Sequence, residues 1–395
     1  KEDEILLSAF SQGGLSKVKD VADLPSAMMA SGIVGNNGLG AFNQIDLNKA
    51  LTGKIATVSA YIDQYSEGFD GNSSVKDFET MLQLIYLNFT APRKDDNSFK
   101  ALINMYSASL VNRASDPRSA FSDTVSTWVT NNHPRNVLVN IDMLQKVDQE
   151  KAIAFFKERF AVPADFTFVF TGNVNPDDEA VKNAVLTYLG GLKSKKKTEK
   201  FTDNKIRKPQ GELKKYFNKE MKINKASNFI LYNASMPYTV QTRTLMTAIG
   251  NILSTRYLES IREKEGGSYG VGVRGAMSNM PVPEATLMMQ FDTDPEKQEK
   301  LMGIIHAEVA EIVANGPRED DVQKVKENML KKINEDLAEN SWWESAIVRL
   351  YQDKLNMVTD YKASVEALTP QLIQETLKKV TEQGNVLEVV MLPAK

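Results

Sequence analysis

The sequence contains no cysteine and two histidines among its 395 residues. The absence of cysteine excludes disulfides, thiolate metal sites and cysteine nucleophiles, and it leaves the redox compartment open. No apolar run approaches the roughly 18 residues that a membrane-spanning helix needs. The net charge is −3 and charges of both signs are interspersed, so the composition favours neither a nucleic acid nor an anionic membrane as partner.

The remaining composition is that of a soluble globular protein, with 42% hydrophobic and 25% charged residues. A chain of this length is too long for one ordinary core and predicts two domains of roughly 150 to 200 residues. The chain begins at Lys1 without an initiator methionine or a signal sequence. We therefore expect it to be a mature or truncated piece of a longer protein.

Internal repetition predicts the organisation of the chain. Each half begins with an apolar strand, continues through helices and strands in a similar order, and ends with an amphipathic helix followed by a buried strand. The predicted strands are 5–10, 55–62 and 164–172 in the first half, then 229–234, 269–273, 284–291 and 386–392 in the second. The predicted helices are 24–33, 42–51, 75–89, 97–114 and 148–160 in the first half, then 240–265, 295–314, 317–337 and 371–383 in the second. This order indicates an α+β fold of two homologous domains, each an antiparallel sheet with helices packed on one face.

A charged, lysine-rich run from residue 193 to 200, followed by polar sequence, separates the two halves. Such a run repels itself and is typical of a solvated linker, although a basic run can also bind an acidic partner. The sequence therefore predicts a first domain at 1–192, a linker at 193–214 and a second domain at 215–395.

The segment 260–273 contains the candidate site residues Arg262 and Tyr269. A predicted helix before Gly266 and Gly267 is followed by a predicted strand, and glycine permits a sharp reversal because it reaches positive φ without steric cost. The guanidinium and the phenol would then point the same way and hold a carbonyl oxygen or a developing oxyanion. On spacing alone, the more ordinary interpretation is an arginine that compensates a helix C-terminus and a half-buried tyrosine.

The string from Arg256 to Val273 resembles the helix-turn-strand in the C-terminal halves of the insulinase-like (M16, pitrilysin-type, LuxS/M16-like fold) zinc peptidases. In that family, four homologous α+β units form two bowl-shaped halves around a chamber. The resemblance covers nearly the whole chain and implies that the two domains are the third and fourth of four. It also implies that Arg262 and Tyr269 hold the scissile carbonyl of a peptide opposite the metal.

The zinc motif of the family is missing. The catalytic half carries H-x-x-E-H on its first helix, where two histidines bind zinc and the glutamate is the general base. Neither His133, in a predicted surface turn, nor His306, predicted to be structural, belongs to such a motif. The corresponding helix, 24–33, has small and apolar side chains that indicate packing. We expect no catalytic residue and no metal ligand in this chain, and zinc in a partner half.

The two halves differ at the candidate site. When residues 47–54 are aligned with residues 258–265, Leu51 stands where the second half has Arg262, and the following strand starts without a tyrosine. In the family resemblance, the fourth unit alone contributes polar groups to the reacting carbonyl. Other candidates are weaker. The glycine-containing run 36–40 indicates a helix–helix turn rather than a phosphate loop. We expect Trp342 and Trp343 to cap the core rather than to line a chamber wall.

The leading hypothesis is the substrate-holding C-terminal half of an M16 zinc endopeptidase, which binds peptide and needs an N-terminal zinc-bearing half from the same polypeptide or a separate subunit. One alternative is a non-catalytic structural or assembly subunit of the family. Another is a module that captures peptides without cleaving them. By resemblance to longer bacterial members, we expect a periplasmic or other extracytoplasmic location.

Overall fold

A computed structural model describes residues 3–113, 115–194, 198–263, 265–266 and 270–394. Contacts divide the chain into two compact units. Unit 1 comprises residues 1–111, 137–204 and 337–352, and unit 2 comprises residues 112–136, 205–336 and 353–395. The boundary after residue 204 lies within the predicted linker. The division into two homologous domains that follow each other in sequence stays a prediction. Each compact unit also contains a segment from the other half of the sequence, 337–352 in unit 1 and 112–136 in unit 2.

The strands of the described residues belong to two sheets. In chain order they are β1 Ile5–Gln12, β2 Ala56–Ile62, β3 Ser66–Ser73, β4 Thr167–Gly172, β5 Glu212–Lys219, β6 Ala226–Ser235, β7 Gly272–Ser278, β8 Glu284–Thr293 and β9 Val386–Pro393. The strand order is β2-β3-β1-β4 in unit 1 and β5-β9-β6-β8-β7 in unit 2. All pairs are antiparallel except β5 with β9, which is parallel.

The helices are α1 Leu24–Met28, α2 Ala30–Asn37, α3 Gln44–Ala50, α4 Phe78–Thr90, α5 Asp96–Leu110, α6 Pro117–Val129, α7 Ile141–Leu144, α8 Gln149–Arg159, α9 Glu179–Val185, α10 Val240–Tyr257, α11 Gln298–Asn315, α12 Glu319–Asp336, α13 Asn340–Asp353, α14 Met357–Glu366 and α15 Pro370–Thr381. In the part of the chain that the structure describes, no helix has the length and apolar character needed to cross a membrane. Short π-helical turns at Leu186–Gly190 and Leu258–Glu263 continue α9 and α10.

Local signals explain several helix starts. The Thr239 side chain accepts from the backbone N–H of Thr242, and the Thr242 side chain accepts from the backbone N–H of Thr239, so α10 begins with a reciprocal cap. Thr369 caps α15 in front of Pro370, whose missing N–H costs nothing at a first helical position. These caps satisfy backbone donors that the first helical turn leaves unpaired.

The core of unit 1 lies between one face of its sheet and several helices. Alternate residues of β1 (Ile5, Leu7 and Ala9) are each 1% exposed, because side chains two apart share a face of a strand. They share a hydrophobic cluster with residues of α2 and α4, including Ile33 and Leu82. The predicted α+β arrangement of this half is therefore confirmed.

Unit 2 has a core on each face of its sheet. Helices α10, α11, α12 and α15 contribute to the larger cluster, on the face that carries Tyr232 and Val390. On the opposite face, Phe121 of α6 packs with Leu387 and Val389 of β9. Since α6 precedes the linker and α13 follows it, each unit contains a helix from the other half of the sequence. An amphipathic pattern predicts a helix but does not say which sheet it covers.

The linker is anchored to unit 1 by a buried charge cluster. The side chains of Arg159 and Glu67 are 2% and 1% exposed. Arg159 Nη1 lies 3.1 Å from Glu199 Oε2, and Lys17 Nζ lies 3.3 Å from Glu199 Oε1. The backbone N–H of Gly14 donates to Glu67 Oε2 at 2.5 Å. Glu199 is thus held against unit 1, whereas the sequence predicted a solvated run there.

Burial raises the pKa of Glu67 to about 7, although the Gly14 N–H and Arg159 favour the charged form. Its pKa in the unfolded chain is about 4.3. Folded protein therefore retains the proton in a pH range where unfolded protein has lost it. The contribution of Glu67 to stability is fully present below the unfolded pKa and is lost as pH rises toward 7.

Glu67→Gln removes this titration. Relative to the parent, the variant should gain roughly 1–3 kcal/mol in the free energy of unfolding between about pH 5 and about pH 8. The measurement is urea unfolding of both proteins at several pH values across that range. Glu158→Gln is the matched control, because Glu158 binds the same guanidinium at 2.8 Å but is 61% exposed. A difference between Glu67→Gln and parent that does not change with pH would contradict the account.

Candidate functional site

Arg262 lies at the end of a helix whose inner side is fixed in the core of unit 2. The buried residues Tyr257 and Ile261 are 1% and 0% exposed, and the Tyr257 hydroxyl donates to the backbone carbonyl of Ile305 at 3.0 Å. The π-helical turn Leu258–Glu263 continues α10, and Arg262 is exposed on it. Single π-helical turns within helices are frequent at functional sites. The guanidinium therefore lies on the solvent-exposed side of a turn whose other side is buried.

The chain leaves this helix at Gly266. The Gly266 N–H donates to the carbonyl of Arg262 at 3.2 Å, and Gly266 has φ +56°, the left-handed conformation in which glycine commonly ends helices. The first glycine of the pair thus adopts the conformation that the sequence predicted. Gly267 and Tyr269 lie outside the described residues, so the approach of the phenol to Arg262 stays a prediction.

The strand after the turn begins later than predicted. The sequence indicated a strand at 269–273, whereas β7 begins at Gly272 and extends to Ser278. β7 is an edge strand, hydrogen-bonded to β8 from Gly272, opposite Gln290, to Ser278, opposite Glu284. Val271 is buried in the core just before it. This valine packs inward two residues before the predicted strand ends, and ladder pairing begins directly after it.

Two glycines bring the backbones of α10 and β7 into contact. A Cβ added to Gly275 would lie 1.8 Å from the carbonyl oxygen of Met246, and one added to Gly250 would lie 2.7 Å from the backbone nitrogen of Gly275. No side chain fits between helix and strand at this point. The close approach packs the middle of the edge strand against the middle of α10, the helix that continues into the turn carrying Arg262.

The equivalent turn of unit 1 has the same construction and a different side chain. Helix α3 ends before Leu51, Gly53 has φ +79°, and the edge strand β2 follows. Leu51 is half-buried and packs against the core of unit 1. The position aligned with Arg262 is therefore used for packing in unit 1, and the exposed cation is specific to unit 2.

Both histidines are bonded within unit 2. His306 Nδ1 lies 2.6 Å from the Tyr232 hydroxyl, and its Nε2 lies 3.0 Å from Glu388 Oε1. The hydrogen bond from His306 is the largest effect on Glu388 and holds the pKa of this carboxyl below its usual range. His133 lies in a turn and accepts at Nδ1 from the backbone N–H of Arg135, 3.2 Å away. The sequence missed the partnership of His306, since its two partners lie 74 and 82 residues away in sequence.

Among the described residues, neither the histidines nor the first helices form a zinc site. Both ring nitrogens of His306 already have protein partners. Leu24, Ala27, Ala30 and Ile33 of helices α1 and α2 are buried packing residues. Within residues 3–113, 115–194, 198–263, 265–266 and 270–394, no group of three or more potential ligands is arranged to hold a metal ion. No chemical step is assigned to a metal in this chain.

Trp342 and Trp343 are half-buried, and their capping of the core stays a prediction. Their rings contact each other edge to face at 5.0 Å between centroids. The Trp343 indole donates to the carbonyl of Leu337 at 3.0 Å and, with Ile347 and Phe170, lines an apolar cavity of about 770 Å³ in unit 1. Helix α13 presents the indole beside the edge strand β4, where packing leaves an open space.

Known proteins share both the sequence pattern and the fold. Residues 146–329 match the family model described as Peptidase M16 inactive domain. The zinc protease PQQL-like of Arabidopsis thaliana is 25% identical over 421 residues, which cover 100% of this chain and 40% of that protein. The structure of the periplasmic protease PqqL from Escherichia coli superposes with a TM-score of 0.85 at 19% identity, covering 100% of this chain and 43% of that chain. The peptidase M16 inactive domain from Pseudomonas fluorescens gives 0.80 at 15% identity, covering 100% and 94%.

These matches confirm the resemblance to M16 peptidases. The chain is homologous to zinc proteases of this type and corresponds to their C-terminal half, which contains the inactive domain. It spans about two fifths of the length of the curated relatives it matches first, 40% and 41%. The fold class is also confirmed.

Gly275→Ala tests the close contact that positions the site. The added methyl collides with the Met246 carbonyl, which is backbone and cannot rotate away, so the free energy of unfolding should fall by about 1–3 kcal/mol or more. Denaturant unfolding of the chain measures the loss. In Gly272→Ala, by contrast, the new Cβ would lie 3.6 Å from the nearest atom, the Gln290 carbonyl oxygen. This control should stay within about 1 kcal/mol of the parent; equal losses in both variants would refute the contact.

Proposed function

We propose that this chain is the substrate-binding C-terminal half of an M16 zinc endopeptidase. The observation that carries the proposal is the exposed Arg262 on the last turn of a helix buried on its other side. The match to an inactive-domain model and to longer proteins named zinc proteases supports a division of labour between two halves. The zinc and the general base belong to the N-terminal half, either of the same polypeptide or of a separate subunit.

Arg262 and Tyr269 act on the carbonyl of the peptide bond that is cut. A guanidinium offers two parallel N–H donors in a rigid plane, and a phenol offers one O–H donor. When the carbonyl carbon is attacked, negative charge develops on its oxygen, and donors fixed in advance stabilise this charge without reorganising. In the proposed complex, Arg262 and Tyr269 supply these donors from the wall opposite the zinc.

The edge strand β7 supports peptide binding at the same place. Within the sheet β7 pairs with β8, so the backbone groups on its other edge are not used by a sheet neighbour. An extended peptide binds such an edge through main-chain hydrogen bonds that do not depend on its sequence. Because β7 begins three residues after Tyr269, a peptide there lies close to the proposed oxyanion donors.

Arg262→Ala and Tyr269→Phe are each expected to lower turnover of a peptide by about 100-fold or more in the complete enzyme, because each removes a donor to the oxyanion. Zinc content, measured by atomic absorption, should be unchanged, since neither residue binds metal. Lys362→Ala is the control, because it removes an exposed charge from α14 (67% exposed side chain) and should leave turnover unchanged. Full activity of both site variants would reject the assignment.

The structural-subunit alternative predicts a different result in the same experiment. A chain with an assembly role alone would give no peptide hydrolysis when mixed with, or joined to, a zinc-bearing half that carries H-x-x-E-H. A peptide-capturing module would bind peptide under these conditions and leave it intact. We also propose an extracytoplasmic location, supported by the periplasmic protease from Escherichia coli among the similar structures.

A further inference from the structure

The turn that carries Arg262 is tied by ion pairs to the two helices that follow it. We define the Arg262 turn as residues 258–263 and 265–266, which are the described residues between α10 and the glycine reversal. Its inner side is fixed by burial of Ile261. Two of its carboxylates, Glu259 before Arg262 and Glu265 after it, have cationic partners elsewhere in unit 2. The partner of Glu265 lies on α11, and the partner of Glu259 lies directly before α12.

Arg318 holds the first carboxylate. Its Nη1 and Nη2 each lie 3.0 Å from an oxygen of Glu259, which gives a two-point contact. Its Nε and Nη2 also donate to the two oxygens of Asp321, at 2.7 Å and 3.0 Å. The Asp321 side chain is 4% exposed at the start of α12, so it is itself immobile. Arg318 thus connects a buried carboxylate of α12 to a carboxylate three residues before Arg262.

Lysines of α11 and of the short 3₁₀-helix Pro295–Lys297 before it hold the second carboxylate residue. Lys300 Nζ lies 2.5 Å from Glu265 Oε2, and Lys297 Nζ donates to the Glu265 backbone carbonyl at 3.4 Å. Both pairs are partly exposed, with 63% of the Lys300 side chain and 47% of the Arg318 side chain accessible, and solvent weakens such pairs. The contact through Arg318 is the stronger of the two, because it is bidentate and ends on a buried group.

Geometry explains why the outer tie matters for Arg262. The Arg262 turn is π-helical where Arg262 lies, so it is wider than an α-helical turn, and the helix ends directly after it. The guanidinium has to meet a developing oxyanion, and a displacement of about 1 Å at a reacting centre can cost on the order of 100-fold in rate. Two-point pairing of Glu259 restricts rotation of the turn about its buried side.

We propose that Arg318 is a positioning residue for the peptide site: through Glu259 it fixes where Arg262 meets the carbonyl oxygen of the substrate. The inference rests on the proposed function, because it concerns how the same site is held. Arg318 itself does not touch the peptide. Its loss therefore affects the rate of the chemical step more than the binding of substrate.

The test is peptide hydrolysis by the complete enzyme with its zinc-bearing half. Arg318→Ala should lower kcat by roughly ten- to a hundredfold and change KM by less than about twofold, because the ground state is held mainly by the peptide backbone. Glu259→Gln should shift kcat in the same direction. Arg318→Lys keeps a charge but cannot pair with both carboxylates, so it should recover part of kcat, and it replaces the alanine variant if that variant fails to fold.

Lys332→Ala is the matched control. It removes a cation from α12, the helix that Arg318 directly precedes, where Lys332 Nζ lies 2.6 Å from Asp336 Oδ1, and it should leave kcat unchanged. A double-mutant cycle then separates positioning from a general loss of structure. In the Arg262→Ala background, Arg318→Ala should have no further effect on kcat, because the side chain that it positions is gone.

The outcomes distinguish the two proposals. If Arg262→Ala lowers kcat but Arg318→Ala does not, or if the two losses multiply in the double variant, the positioning role is refuted while the proposed function stands. If Arg262→Ala alone leaves kcat unchanged, the proposed function fails and the positioning role fails with it. Loss of kcat in Arg318→Ala, partial recovery in Arg318→Lys and no further loss in the double variant would establish the role.

Discussion

The contact between the backbones of α10 and β7 is the constraint on which the site depends. At Gly275 the helix carbonyl of Met246 occupies the space where a side chain would be. Helix and strand can approach this closely because both contact positions, Gly250 and Gly275, lack a Cβ. The edge strand that follows the Arg262 turn is thereby packed against the helix that precedes the turn.

The two units show how one construction serves two purposes. In each, a helix, a glycine with positive φ and an edge strand follow one another. In unit 1 the turn carries Leu51, which packs on the core, and in unit 2 it carries the exposed Arg262. The same order of elements thus carries a packing side chain in one unit and an exposed cation in the other. The side chain at this position thus determines the chemistry, and the fold determines where that side chain lies.

Local patterns predicted the elements that determine the site, and tertiary contacts decided the others. The apolar periodicity of α10 and the glycines after it placed Arg262 at a helix end. Strand β3 was missed, because glycines and polar residues hide its pattern, yet β1 and β2 pair with it on both sides. Strand β5 begins within the predicted linker, which ends at residue 214. It forms by pairing with β9, a segment more than 160 residues away in sequence. Neither the packing of α6 on the second sheet nor the Arg318–Glu259 pair has a signal in neighbouring residues.

The most direct test of the central claim is a crystal structure of the complete enzyme with a phosphinic peptide, whose tetrahedral phosphinyl group mimics the attacked carbonyl. The account predicts that the Arg262 guanidinium and the Tyr269 hydroxyl each lie about 2.7–3.1 Å from one phosphinyl oxygen, on the side opposite the zinc. A complex in which other groups bind that oxygen, and both side chains point away from the inhibitor, would contradict it.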